Sequence, residues 1–193
     1  MTTFLRRQLY PAVVLLALLT LLTGLAYPAV MTALAQVAFP NQANGSLIVV
    51  NGQTVGSSLI GQAFGDPKYF WGRLSAAGAD GYDANASAGS NLGPTSQTLI
   101  DRVTAQVDAL RAANGDAPIP VDLVTTSASG LDTDISPAGA DYQVARVATA
   151  RNLSEADVRA AIGRHTEGPL LGFLGQNRVH VLELNLDLDG VLR

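Results

Sequence analysis

Between Arg7 and Asp66 the chain has no charged side chain at all. Within that run, Leu9 to Phe39 is dominated by Leu, Val and Ala. A helix needs about 20 apolar residues to cross the hydrocarbon core of a bilayer, and this stretch exceeds that. From Tyr10 to Ala35 a straight helix would be roughly 39 Å long, against a core of about 30 Å. It should therefore tilt, bend at Pro28 or emerge near Ala29. Pro11 suits a first helical turn, where its missing N–H costs nothing. The expected layout is a short N-terminus at residues 1–9, a membrane helix at 10–35 and one domain at 36–193. A cleaved signal peptide is the competing reading, with Arg6 and Arg7 as its basic start and Ala33-Leu34-Ala35 as a small-x-small cleavage site. The apolar run outlasts the usual signal core of about 7–15 residues, which favours a retained anchor. In both readings Arg6 and Arg7 keep the N-terminus cytoplasmic and send the remainder outside.

One face of this helix carries Ala17, Thr20, Gly24 and Pro28, spaced three, four and four. Small residues at that spacing let another membrane helix approach closely. An Ala- and Thr-rich span also produces such a stripe by composition alone.

The remainder reads as a small mixed domain of α+β class. Leu47-Ile48-Val49-Val50 meets Asn51-Gly52, the preferred pair for a type I′ turn, and Thr54-Val55 returns, so residues 46–57 are a predicted hairpin. Residues 75–95 are rich in Ala, Gly, Ser, Asn and Asp, with little to bury, and read as a long surface loop. A helix is predicted from Pro94-Thr95-Ser96, with Leu99, Ile100, Val103, Val107 and Leu110 on one face and Asn114-Gly115 as its stop. Val121-Asp122-Leu123-Val124 reads as a short strand. Further helices are expected from Ser136-Pro137, carrying Tyr142, Val144 and Val147, and from Ser154, carrying Val158 and Ile162. The alternation of Leu182 to Asp189 predicts a half-buried strand.

Chemistry-bearing motifs are scarce. Cysteine is absent, which removes disulfides and thiolate sites together. His165 and His180 lack metal-hydrolase spacing, and Thr126-Ser127-Ala128-Ser129-Gly130 is not a nucleophile elbow. Gly89 to Pro94 ahead of a helix resembles an anion cradle but lacks the Lys-Ser/Thr of a Walker loop. Asp132, Asp134 and Asp141 lack EF-hand spacing. One lysine, Lys68, stands against eleven arginines, and the net charge is −4, so no basic surface invites nucleic acid. No catalytic or metal-binding residue is assigned.

The ordered strings do resemble a family. Gly24-Leu25-Ala26-Tyr27-Pro28 lies in the span, followed by Gln42 to Ile48 and Gly56 to Gln62. Tyr69-Phe70-Trp71-Gly72-Arg73, Gly89-Ser90-Asn91-Leu92 and Asp122 to Asp132 come next. Ile135-Ser136-Pro137, Arg146 to Arg151 and Glu183-Leu184-Asn185-Leu186 close the series. Together they resemble the C subunit of the Kdp potassium-transporting P-type ATPase over nearly the whole chain. Departures are Leu74 in place of a usual Pro, Ala88 in place of Gly, and Asn177 and His180 in place of Pro and Asn.

The resemblance implies a non-catalytic accessory subunit in a bacterial inner membrane. Its partners would be a channel-like, multi-span potassium subunit and an ATP-hydrolysing P-type subunit. It also implies a chaperone-like rise in the ATP affinity of the hydrolysing subunit. ATP and potassium would then be handled by the complex, with no cofactor of the chain's own. Ala17, Thr20, Gly24, Tyr27 and Pro28 become the expected helix interface. Gln62, Arg73, Ser90 and Asn91 become candidates for a loop facing the partner or the ion entrance.

Overall fold

The computed structural model describes residues 2–191, with side chains from residue 6 onward, and divides into two units at Leu47. The first is dominated by the uncharged run. Helix α1 spans Thr2–Leu21, a π-helical turn Leu22–Ala26 follows, and α2 continues over Tyr27–Ala38. The wide turn lies just ahead of Pro28, whose ring would crowd the carbonyl of Gly24 in a regular helix and which has no N–H to donate. Instead the Tyr27 N–H reaches back to the Leu22 carbonyl, and the Thr23 hydroxyl donates to the Leu19 carbonyl at 2.7 Å. A π turn of this kind lets a proline sit inside a spanning helix without ending it. Arg6–Ala38 forms one helix long and apolar enough to cross a membrane. Every side chain from Arg6 to Leu34 is exposed, so its own chain supplies no apolar cover. A short helix, α3 (Pro40–Ala43), closes this unit.

The second unit begins with the hairpin of β1 (Leu47–Val50) and β2 (Gln53–Ser57). Asn51 and Gly52 take φ of 51° and 80°, the left-handed pair a type I′ turn requires. Helix α4 (Gln97–Asn114) starts and stops where its signals place it, with Gly115 at φ 86° beyond its end. Strand β3 (Asp134–Ile135), helices α5 (Pro137–Asp141), α6 (Val144–Arg151) and α7 (Glu155–Arg164), and strands β4 (Thr166–Glu167) and β5 (Arg178–His180) follow, ending with α8 (Val181–Leu188). The antiparallel sheet has the order β3-β5-β4. Its central residue Val179 is fully buried in a core with Phe70, Leu110, Leu123, Ile135, Val144, Val147, Val158 and Leu184.

Two elements differ from their sequence patterns. Val121–Leu123 is a 3₁₀ turn, not a strand. Pro120 leads into it, and Asp122 is drawn to the start of α5, accepting from the Ser136 N–H at 2.7 Å and its hydroxyl at 3.0 Å. The alternating stretch 182–189 is mostly the helix α8, not a strand. Val181, Leu184 and Asn185 are buried and Leu188 packs against the core, an i, i+3, i+4, i+7 face hidden within the alternation.

His180 starts α8. Its Nδ1 accepts from the Glu183 N–H at 3.4 Å while its Nε2 meets the Ser58 carbonyl at 2.7 Å, which together describe a neutral ring protonated on Nε2. Asparagine is a strong N-cap by the same geometry. His180→Ala is expected to lower stability by about 1 kcal/mol, and His180→Asn to lower it by less. Thermal unfolding of the detergent-solubilised chain would check the order of the two variants.

Candidate functional site

Residues 67–71 have no partner strand, and side chains take every one of their carbonyls. Arg146 donates to Pro67 and, at 2.9 Å, to Tyr69. Arg151 donates to Lys68 at 2.7 Å. The amides of Asn185 and Gln143 each hold both backbone groups of one residue. Asn185 accepts from the Phe70 N–H at 2.8 Å and donates to its carbonyl at 3.0 Å. Gln143 does the same for Trp71 at 2.8 and 3.1 Å. Both amides are buried, at 1% and 0% exposure, so they replace the ladder a neighbouring strand would supply.

Electrostatics reinforce this clamp. Arg146 stacks 4.0 Å from the Trp71 ring centroid and also binds Asn114 and Gln143. Burial pushes its guanidinium down to about 10, still well above neutral pH, so it stays charged. Arg151 pairs with Asp189 at 2.8 Å, and Asp189 accepts from the Tyr69 hydroxyl at 3.0 Å. The family-like strings at 69–73, 146–151 and 183–186 thus meet at one place. Gln143 and Asn185 were not singled out as site residues. Asn185 carried the signal of a polar amide on an otherwise apolar helix face, whereas Gln143 lies in the turn between α5 and α6, where no local pattern marks it.

Beyond Trp71 the chain enters an open cleft of about 400 Å³ lined by Phe64, Trp71, Arg73, Ser75, Tyr82 and Gln106 among others. Arg73 pairs with Asp132 at 3.0 Å and donates to the Thr126 carbonyl at 3.2 Å. The Tyr82 hydroxyl donates to the Arg73 carbonyl. Burial, followed by the nearby Asp132 carboxylate, pushes Tyr82 up to about 12, which keeps it a neutral donor. The loop 75–95, which had little to bury by composition, is tied down: Ala77 is fully buried, and Ser75 donates to the Gly130 carbonyl at 2.6 Å while accepting from the Tyr82 N–H at 2.7 Å. Gly130, at φ 66°, has no room for a side chain, since a Cβ there would lie 2.7 Å from Ala77 N and Ala88 O.

The candidate loop residues occupy different places. Arg73 and Ser90 share a network, because the Thr126 hydroxyl donates to the Ser90 hydroxyl at 3.3 Å. Asn91 beside them is exposed, with φ 50°. Gln62 instead donates to the Val55 carbonyl at 2.9 Å and secures the hairpin. On the apolar helix, Ala17, Thr20, Gly24, Tyr27 and Pro28 are all exposed. A Cβ on Gly24 would meet only the Thr20 Cγ2, at 3.9 Å, so those two share a face across the start of the π turn. Among the described residues no three His, Cys, Asp or Glu side chains are grouped to hold a metal. Asp132, Asp134 and Asp141 each pair with an arginine, namely Arg73, Arg178 and Arg159.

Comparison with known proteins bears on the same residues. Residues 9–190 match the model of the KdpC family, described as the K+-transporting ATPase c chain. The chain is 63% identical over 185 residues to the potassium-transporting ATPase KdpC subunit of Sorangium cellulosum (strain So ce56), an alignment spanning 95% of this chain and 97% of that protein. It is 59% identical over 181 residues to the KdpC subunits of Burkholderia mallei (strain SAVP1) and Burkholderia pseudomallei (strain K96243), spanning 93% of this chain and 94% of each.

Proposed function

Since the chain belongs to the KdpC family of potassium-transporting ATPase c chains, we propose that it acts as a non-catalytic subunit holding such a complex together in a bacterial inner membrane. The observation that carries this reading is the Arg6–Ala38 helix, long, mostly apolar and with no buried residue. Such a helix needs lipid or other membrane helices as its surroundings, and the small-residue face at Ala17, Thr20 and Gly24 suits a helix partner. Tyr27 and Pro28 continue that interface beyond the π turn. The partners in this reading are a channel-like, multi-span potassium subunit and an ATP-hydrolysing P-type subunit.

Arg6 and Arg7 place the N-terminus in the cytoplasm and the domain outside. Arg73, at the cleft, and the neighbouring Ser90 and Asn91 then face a partner or the potassium entrance. ATP is hydrolysed on the opposite side of the membrane. Any rise in ATP affinity would therefore act as a coupling between conformational states, and not as direct nucleotide contact.

Purification from mild-detergent membranes through a C-terminal tag, followed by mass spectrometry, tests this directly. The expected result is recovery with a P-type ATPase and a large multi-span subunit, with Met1 or Thr2 still at the N-terminus. A lone soluble fragment beginning near Gln36 would overturn the reading and point to an exported hydrolase or binding protein.

A further inference from the structure

The connection between β4 and β5 exposes the domain's most conspicuous apolar cluster. Leu170, Leu171, Phe173 and Leu174 are 69, 77, 73 and 51% exposed, and none belongs to the core. They form a closed turn. Leu170 and Leu174 exchange backbone hydrogen bonds at 2.9 Å in both directions, and the Gly172 N–H donates to the Pro169 carbonyl at 3.0 Å. Leu171 sits at φ 55°, a left-handed conformation unfavourable for a branched side chain. Four large apolar groups left in water gain little for the isolated domain by folding, and the left-handed backbone at Leu171 costs it stability. A cluster of this kind marks a docking surface.

The occupant follows from charge, backbone and tether. Residues 168–177 carry no charge. The flanking charges are not free to recognise anything, because Arg178 pairs with Glu167 and Asp134. The N–H groups of Leu170, Gly172, Phe173 and Leu174 find acceptors within the turn, which lowers the cost of entering a medium without hydrogen-bond partners. The connector after α2, residues 39–46, reaches at most about 30 Å even if fully extended, so the domain of an anchored chain stays near a bilayer surface at high effective concentration.

We infer that this turn inserts Leu170, Leu171, Phe173 and Leu174 into the lipid leaflet on the domain's own side, as a second and reversible membrane attachment. The inference rests on the proposed retention of the apolar helix as an anchor. With the bilayer contact in place, the domain is limited in tumbling and held in a narrower range of orientations.

The absence of cysteine makes the test simple. Phe173→Cys and, separately, Leu171→Cys would be labelled with an environment-sensitive fluorophore in the full chain, reconstituted into phosphatidylcholine vesicles with and without brominated acyl chains. Thr104→Cys, on the exposed side of α4, serves as the control. The expected result is blue-shifted emission at both tip positions, quenched on the order of twofold or more by brominated lipid, as for side chains at the headgroup–acyl boundary. The control should remain water-like. Water-like emission at both tip positions, in a chain that floats with the vesicles, would overturn the inference and leave the anchor intact. A blue shift that arises only when the other subunits are added would also overturn it and assign the turn to a protein partner. A chain that fails to float overturns the anchor reading and this inference with it.

Discussion

Replacing Asn185 with leucine is expected to destabilise the domain by about 3 kcal/mol. Leucine keeps the branched outline and the number of side-chain heavy atoms but is the larger residue, so the change removes the hydrogen bonds and also crowds the site. What remains is a Phe70 N–H and a Phe70 carbonyl with no partner, at a residue with 0% exposure where water cannot substitute. Each buried orphan costs about 1–3 kcal/mol. Phe70 then has two poor choices, to stay with its backbone unpaired or to withdraw from the core. Withdrawal would also shift Tyr69 and Trp71, and with them the Arg146 stack and one wall of the cleft. Urea titration of the detergent-solubilised chain checks this through a lower midpoint at unchanged slope. Asn185→Asp keeps the acceptor but loses the donor and buries a charge, so it should be at least as damaging. If Asn185→Leu left the midpoint unmoved, residues 67–71 would be held by the two arginines and Gln143 alone.

Gly24→Leu should have the largest effect on assembly and almost none on the chain itself. A Cβ at that position touches only the Thr20 methyl, at ordinary contact distance, and leucine is the better helix former by about 0.8 kcal/mol. The variant chain should therefore reach the membrane in normal amounts. A leucine on the Ala17–Thr20–Gly24 face would hold a neighbouring helix away from close backbone contact. Tagged Gly24→Leu chain is then expected to lose most of the multi-span subunit on purification. Leu15→Ala, exposed on the opposite side of the helix, should leave recovery unchanged. Normal recovery with Gly24→Leu would assign the small-residue stripe to composition.

Local signals were readable from residues near one another in the chain. The uncharged run made a helix of spanning length. Asn51-Gly52 demanded a hairpin, Ser154 supplied an N-cap whose hydroxyl accepts from the Asp157 N–H at 3.1 Å, and Gly115 stopped α4. Each depends on backbone preferences within a few residues, which tertiary contacts had no cause to override. The expected helix from Ser136 was legible too, although it breaks at Tyr142–Gln143 into α5 and α6.

Where the reading failed, a distant group decided the outcome. Leucine at every second position from 182 to 188 fits a strand, yet Val181 and Asn185 complete a helical face that meets Phe70. Two apolar periods coexist in that string, and only the surface it packs on selects between them. Val121 to Val124 has the composition of a strand, but Asp122 gains more by holding the Ser136 end of α5. The clamp on residues 67–71 could not have been found by pattern, because its parts lie roughly 70 to 120 positions apart in the chain. The sequence by itself determined the apolar helix of spanning length, the turns, the caps and, through its ordered strings, the family. Only the tertiary structure decided which buried amides stand in for a missing strand, because a backbone hydrogen-bonding group hidden from water must find its partner wherever the folded chain brings one.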